Sequence, residues 1–286
     1  MARESKGKET GHLLAAVEET SLIPLYARAL APRLFPEMGF SDDAAEDIVS
    51  LLGHDPWRFI RTDRATARGI VMREQWFDRE CLDFFNRHPH AQVLNLGAGL
   101  NTNFQRLSDR YNGVMPDWVN VDLPPVIALR DKLLPARDDV TNMSLDLSRH
   151  GSLRQLPLHR SSPVLILLEG VIMYLQPSKG AALIRDIADT FSTHPQNVEI
   201  LLDYASPYLA MMSRWHPSIS ETGARFRWGV NGAHEIMRIA PQLSCRKDDD
   251  LMQQCGLAGW GVSSMYQMMT LGSKVYGCSA FRVVRD

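Results

Sequence analysis

Short apolar runs that end in an acidic residue recur along this chain, and stretches of helical periodicity separate them. Val93, Leu94 and Leu96 make the first run and lead straight into Gly97-Ala98-Gly99. A helix-compatible segment with Leu100, Phe104 and Leu107 on one stripe follows. Trp118 to Val121 is a second run ending in Asp122, and Met143 to Leu145 a shorter third ending in Asp146. Val164 to Leu168 is continuously apolar before Glu169, the pattern of a central strand covered on both faces. Val198 to Leu202 runs into Asp203. Between them, Pro124 to Leu134 reads as helix, as does a segment opening at Pro177 with Leu183, Ile184, Ile187 and Phe191 as its buried stripe.

Ahead of the first strand the periodicity is helical throughout. Thr20 to about Ala31 is one helix, and Ser41 to Leu52 a second with Ser41 as N-cap candidate. Gly69 to Arg87 is a third, with Phe77, Cys81, Phe84 and Phe85 at i, i+4, i+7 and i+8. Beyond the fifth strand, residues 205–247 are irregular and rich in Arg, Trp and His. Asp248 to Gly256 then reads as helix, and Trp260 to Thr270 and Ala280 to Val284 as two closing strands. Strands alternating with helices predict an α/β fold built on a doubly wound, mostly parallel, seven-stranded sheet.

The turn at Gly97 has the form of the first βα crevice of a nucleotide-binding sheet. Asp122, 25 residues after Gly97, stands at the tip of the neighbouring strand, where it would accept from two ribose hydroxyls. A pyrophosphate fingerprint reads G-x-G-x-x-G/A, and its third position is Thr102 here. A glycine turn without a phosphate grip suits S-adenosylmethionine, which carries adenosine but no phosphate. A nicotinamide-dependent oxidoreductase and a non-catalytic binding module remain the alternatives from other classes.

Composition narrows the partners. The 286 residues are 45% hydrophobic and 22% charged with a net charge of −2, so nothing electrostatic points to nucleic acid or an anionic membrane. No apolar run reaches membrane-span length, and the opening MARESKGKETGHLL has no signal-peptide core. Cys81, Cys245, Cys255 and Cys278 form no CxxC pair and no metal spacing, as expected of reduced thiols in a cytoplasmic protein without a bound metal. The sequence carries no signal for an oligomeric state.

Four motifs in order, VLNLGAGLNTNFQRL, VNVDLP, SLDLS and LILLEGVIMYLQP, resemble the leucine carboxyl methyltransferase family. The bacterial polyketide O-methyltransferase branch is the most similar part of it, and ETSLIPLYARA and FRWG extend the likeness from about Glu19 to the C-terminus. The resemblance implies a Rossmann-like, S-adenosylmethionine-dependent O-methyltransferase that releases S-adenosylhomocysteine and commonly makes methyl esters from carboxylates. It also implies a helical cap over residues 1–68 and a methyltransferase domain over 69–286. The insertion at about 205–247 would be a substrate lid, the whole forming a single structural domain. One departure is Asn101, where the family usually has an acidic residue. That position is expected to cap the helix after the turn, and Asn caps about as well as Asp.

Each candidate residue has a chemical reason and a plainer rival. Arg73 lies four residues before Phe77, on the buried stripe, so it needs an anion: the methionine carboxylate of the cofactor, or a structural acid. With Asp78 it matches the family's R-x-x-x-x-D, and Arg68 is its competitor for the role. Gly97 and Gly99 let backbone approach the cofactor, or serve only a tight turn. Glu169, at the end of the most buried strand, needs a cation, which the cofactor's ammonium or a structural pair would supply. The resemblance puts Asp146 at the adenine amino group and the Leu147 N–H at a ring nitrogen, against a simple turn-forming Asp.

On the acceptor side, Arg225, Arg227 and Trp228 could clamp a carboxylate and stack an apolar body, with Tyr174 as a further contact. His216 and His234 are the weak base candidates. A carboxylate is ionised near neutrality and needs no base, whereas a phenol or alcohol does. The sequence therefore favours carboxyl methylation of a small molecule, with a hydroxyl acceptor or a protein C-terminus as the alternatives. A metal-dependent site would need clustered carboxylates, and only Asp203 is spare.

Overall fold

The computed structural model describes residues 21–53, 55–60, 63–213 and 225–284. In chain order its main elements are α1 (Leu22–Leu34), α2 (Asp43–Leu52), α3 (Arg64–Arg87), β1 (Gln92–Leu96), α4 (Asn103–Ser108), β2 (Asp117–Asp122), α5 (Pro124–Leu133) and β3 (Val140–Ser144). There follow β4 (Val164–Leu168), α6 (Pro177–Ser192), β5 (Val198–Ala205), α7 (Pro207–Met212), α8 (Ala233–Ile239), β6 (Leu243–Asp250), α9 (Gly256–Met269) and β7 (Tyr276–Val283). The strands form one seven-stranded sheet in the order β3-β2-β1-β4-β5-β7-β6, and β7 alone runs antiparallel to its neighbours.

Alternation along the strands divides the core between the two faces of this sheet. Leu94, Leu96, Val119, Val121, Ile166 and Leu168 pack with Leu183, Ile184, Ile187 and Phe191 of α6. Val93, Trp118, Leu165, Leu167 and Leu201 face the other way, onto Trp76, Phe77, Phe84 and Phe85 of α3 and Phe104 of α4. Both covered faces explain why β1 and β4 are buried along their full length. Two buried asparagines are satisfied sideways: Asn95 donates to Asn120, and Asn120 to the half-buried Asn142, across the paired strands. After β3 the chain returns to lay β4 on the far side of β1. That reversal opens a crevice at the carboxyl ends of β1 and β4, where ligands bind in such sheets.

The N-terminal helices do not stand apart from the sheet. Leu25, Tyr26, Ile48 and Val71 share one apolar cluster with Leu100, in the loop after β1, and Leu129 of α5. The expected division at residue 68 falls inside α3, which begins five residues before the predicted Gly69 because Asp63 caps it, accepting from the Thr66 N–H at 2.9 Å. Asp42 rather than Ser41 caps α2, accepting from the Ala45 N–H at 3.0 Å.

Two readings near the C-terminus are overturned. Asp248 to Asp250, read as the start of a helix, end β6 instead, because each aspartate finds a tertiary partner: Tyr204, Ser279 and Lys274 for Asp248, Trp76 for Asp249, Ser263 and Gln267 for Asp250. Trp260 to Thr270, read as a strand, lies mainly in α9. The inward side of α9 carries the buried Gly259 and Ser263 and the half-buried Gln267, while Leu257, Trp260, Met265, Met268 and Met269 are exposed. A helix that turns its small and polar side inward shows no apolar stripe at helical spacing. The last strand, β7, starts at Tyr276, ahead of the expected Ala280. Of the irregular stretch 205–247, the described part holds α7, α8 and the start of β6.

Candidate active site

The β1 turn is pinned from three sides. The Gly99 N–H donates to Asp122 Oδ2 at 2.7 Å, which ties the turn to the tip of β2. Arg130, on α5 and buried, donates to the carbonyls of Gly99 and Asn101, and Arg28 of α1 donates to that of Leu100. Gly97 and Gly99 both have positive φ, +75° and +50°. They differ in their surroundings: a Cβ at Gly97 would lie 2.6 Å from a methyl of Val171, whereas one at Gly99 would have nothing within 4 Å. Packing alone therefore requires glycine at 97, and open space adjoins 99.

Across the crevice, Glu169 follows β4 and Arg73 reaches it from α3. Arg73 Nε donates to Glu169 Oε1 at 2.9 Å, and Nη1 lies 3.4 Å from Asp203 Oδ2. Asn101 and Asn103 donate to the other oxygen of Glu169. Burial, with Glu74 alongside, pushes Glu169 up to about 8 against the pull of Arg73. Asp203, two residues before the end of β5, is also raised by burial, and it accepts from the Gly170 N–H and the Tyr276 hydroxyl. Asn101 also accepts the N–H of Asn103 at 2.6 Å, so its side chain does cap the start of α4 although Thr102 is the boundary residue.

A buried ionic network supports this wall. Arg106 of α4 pairs with Asp42, Glu74 and Asp78, and Arg28 with Asp42 and Glu74. Asp78 is thus held by Arg106 and Arg110 rather than by Arg73. The sequence reading did not single out Arg28, Asp42, Glu74, Arg106, Arg130 or Tyr276. The signal that could have found them is Glu74 and Asp78 at i, i+4 on a helix that buries half of its other residues. Arg68, the rival of Arg73, is instead paired on the surface with Glu37.

Asp146 lies just past β3, partly exposed, and accepts from the Ser148 N–H at 2.9 Å, which lowers its pKa. Leu147 packs against the main core. Tyr174 meets Phe226 edge-on, with ring centroids 5.2 Å apart, and the Arg227 and Trp228 N–H groups donate to the Met173 carbonyl. This docks residues 226–228 onto the loop after β4. Arg225 and Arg227 line a cleft of about 270 Å³ with Gln176, Met211 and Ser213, and neither has an ion-pair partner among the described residues. Trp228 needs correction: its indole is buried in the core over Gly180, where even a Cβ would come within 2.3 Å of the ring, so it packs rather than stacking an acceptor. His234 is exposed on α8, which packs on α6 and β6. His216 lies outside the described residues.

A zwitterion-sized charge pair beside a bare glycine turn and an acidic β2 tip agrees with the comparison to known families, in which residues 21–188 match the leucine carboxyl methyltransferase model. The chain belongs to the leucine carboxyl methyltransferase family. It is an enzyme of the S-adenosylmethionine-dependent methyltransferase class. Among its relatives is the tetracenomycin polyketide synthesis O-methyltransferase TcmP of Streptomyces glaucescens, 29% identical over 86% of this chain and 87% of that protein. Another is the S-adenosyl-L-methionine-dependent methyltransferase dpfgK of Gibberella zeae, 28% identical over 85% of this chain and 84% of that one. A solved DUF574 family protein from Streptomyces avermitilis shares the fold, with a TM-score of 0.57 at 13% identity, covering 90% of this chain and 96% of its own.

Proposed function

We propose that this methyltransferase family member esterifies the carboxylate of a small molecule, with Arg225 and Arg227 as the acceptor clamp. The observation that carries the reading is the cleft in which two arginines without acid partners among the described residues flank Phe226, beside the loop that also carries Glu169. The names of the Streptomyces and Gibberella relatives support a small-molecule acceptor, and that of TcmP a polyketide.

The residues present fit the cofactor. Arg73 and Glu169 offer opposite charges to the methionine end, and the buried Asn103 Oδ1, without a hydrogen-bond partner, suits a donor such as an ammonium. Gly97 and Gly99 form the turn, with open space at Gly99. A carboxylate oxygen accepts more than one hydrogen bond, so Asp122 can serve ribose hydroxyls while holding Gly99 and Leu123. Asp146 and the Leu147 N–H would face adenine. When bound, S-adenosylmethionine supplies a methyl group on an already activated sulfonium. The chain then has to align the acceptor oxygen, hold it and exclude water. In this reading the N-terminal helices and the described residues 205–213 and 225–247 cap the crevice, with Tyr174 on its wall. Among the described residues no helix is long and apolar enough to cross a membrane, and the free cysteines accord with a cytoplasmic location.

Turnover tests the acceptor chemistry. With saturating cofactor, carboxylic acids should be methylated at a rate that stays flat from about pH 6 to 9, because a carboxylate has no proton to lose there. Arg225→Ala or Arg227→Ala should raise the acceptor KM and leave S-adenosylhomocysteine affinity unchanged. A rate rising tenfold per pH unit would replace the carboxylate with a phenol.

A further inference from the structure

Arg73 stands between two acids that are anchored differently. Glu169 follows β4 and is held by side chains: Arg73 Nε, Asn101 and Asn103 donate to its oxygens, and Glu74 lies alongside. Asp203 is held by the sheet. Its Oδ1 accepts from the Gly170 N–H at 2.7 Å, and its Oδ2 accepts the Tyr276 hydroxyl. Asp203 and Tyr276 ride on the paired strands β5 and β7, where Tyr276 lies opposite Ala205. Arg73 Nη1 meets both, at 3.4 Å from Asp203 Oδ2 and 3.3 Å from Tyr276 Oη. Gly170 lets the guanidinium lie against the backbone: a Cβ there would sit 3.3 Å from Nη1, at a φ of +65°. Nη2 has only a loose contact, 3.9 Å to Glu74.

The methionine end of the cofactor carries an ammonium and a carboxylate, so its entry between Arg73 and Glu169 would exchange partners on both. The ammonium would take Glu169, and the carboxylate the arginine edge that Glu169 leaves. A guanidinium that lost its partner at Nε without a second anchor would swing, and the fork would lose its bidentate geometry. We propose that Asp203 and Tyr276 are positioning residues that pin Nη1 of Arg73, so that the Nε–Nη2 edge stays aimed at the methionine carboxylate during this exchange. The proposal rests on the cofactor reading of Arg73 and Glu169 given above. It adds a role for two residues that act through Arg73.

Two probes isolate the effect. S-adenosylhomocysteine has the amino-acid end, and 5′-methylthioadenosine keeps the adenosine and thioether but lacks it. In calorimetric titrations, Tyr276→Phe should weaken S-adenosylhomocysteine about three- to tenfold, the range of one neutral hydrogen bond, and leave methylthioadenosine within about twofold. Equal losses for both probes, or no loss for either, would overturn the proposal. Asp203→Asn keeps the volume but loses an accepting oxygen, and should show the same selective loss even if Tyr276→Phe does not fold. If the net charge of the site mattered instead of aim, removing that acid would strengthen S-adenosylhomocysteine, and this gain too would overturn it. Arg73→Ala is the control for the underlying reading. If it leaves the preference for S-adenosylhomocysteine over methylthioadenosine intact, the assignment of Arg73 fails, whatever Tyr276 does.

Discussion

Gly97→Ala separates a glycine kept for packing from one kept for a ligand. The alanine must adopt a φ of +75°, a left-handed conformation that costs about 1–2 kcal/mol for a residue with a Cβ. Its methyl also lands 2.6 Å from Val171 Cγ2, and overpacking of that kind costs about 1–3 kcal/mol. Together they predict a loss of roughly 2–5 kcal/mol in unfolding free energy. Val171→Ala removes both γ-methyls, and its Cβ is 3.6 Å from the new one, an ordinary contact. In that background Gly97→Ala should therefore cost only the backbone part, leaving a coupling of about 1–3 kcal/mol. Gly99→Ala, at φ +50° with no atom within 4 Å, should cost the backbone part alone and instead weaken S-adenosylhomocysteine. Urea unfolding of the four variants of the Gly97/Val171 cycle measures the coupling, and titration of Gly99→Ala measures the ligand effect. Costs for Gly97→Ala that agree within about 0.5 kcal/mol in the two backgrounds would refute the packing explanation.

Arg106→Ala leaves Asp42, Glu74 and Asp78 short of a buried cation and should destabilise the protein by about 3–5 kcal/mol, a fall of at least about 6 °C in Tm by circular dichroism. A fall under about 2 °C would show that Arg28 and Arg110 suffice. Glu169 predicts proton release on cofactor binding. Its pKa is raised to about 8 in the free protein, so below that pH it is mainly neutral, and an arriving ammonium favours the carboxylate. S-adenosylhomocysteine affinity should then rise with pH up to about 8, with a proton expelled at pH 7. Calorimetry in phosphate and in Tris at pH 7 reads this as unequal apparent enthalpies, and equal ones would contradict it.

The parts of the site that lie at strand ends were readable in advance. Gly97, Asp122 and Glu169 each directly follow an apolar run, with Gly99 two residues further on, and a parallel sheet brings the ends of neighbouring strands together without further information. Arg73 was readable because a cation on the apolar stripe of a helix must find an anion. The partners it found could not be ranked from the sequence: Glu169, Asp203 and the Tyr276 hydroxyl lie 96, 130 and 203 positions away. Asp203 was left over as a spare carboxylate, when its real partners come from β7 and the loop after β4. Trp228 carried the right chemistry for an acceptor contact, and only the bare face of Gly180 shows that its ring is enclosed.

Local pattern by itself determined the alternation of strands and helices, the glycine turn and the acid that faces it, because these depend on neighbours in the chain. The end of β6 and the inward side of α9 depend on distant partners. Asp248, Asp249 and Asp250 are poor strand formers that remain in β6 because Tyr204, Trp76 and Ser263 satisfy them. The buried charges of Arg28, Asp42, Glu74, Asp78 and Arg106 likewise have no signature in a one-dimensional pattern. A buried ion is tolerable only when its counter-ion is placed within hydrogen-bond reach, and that placement exists only once α1, α3 and α4 have packed together.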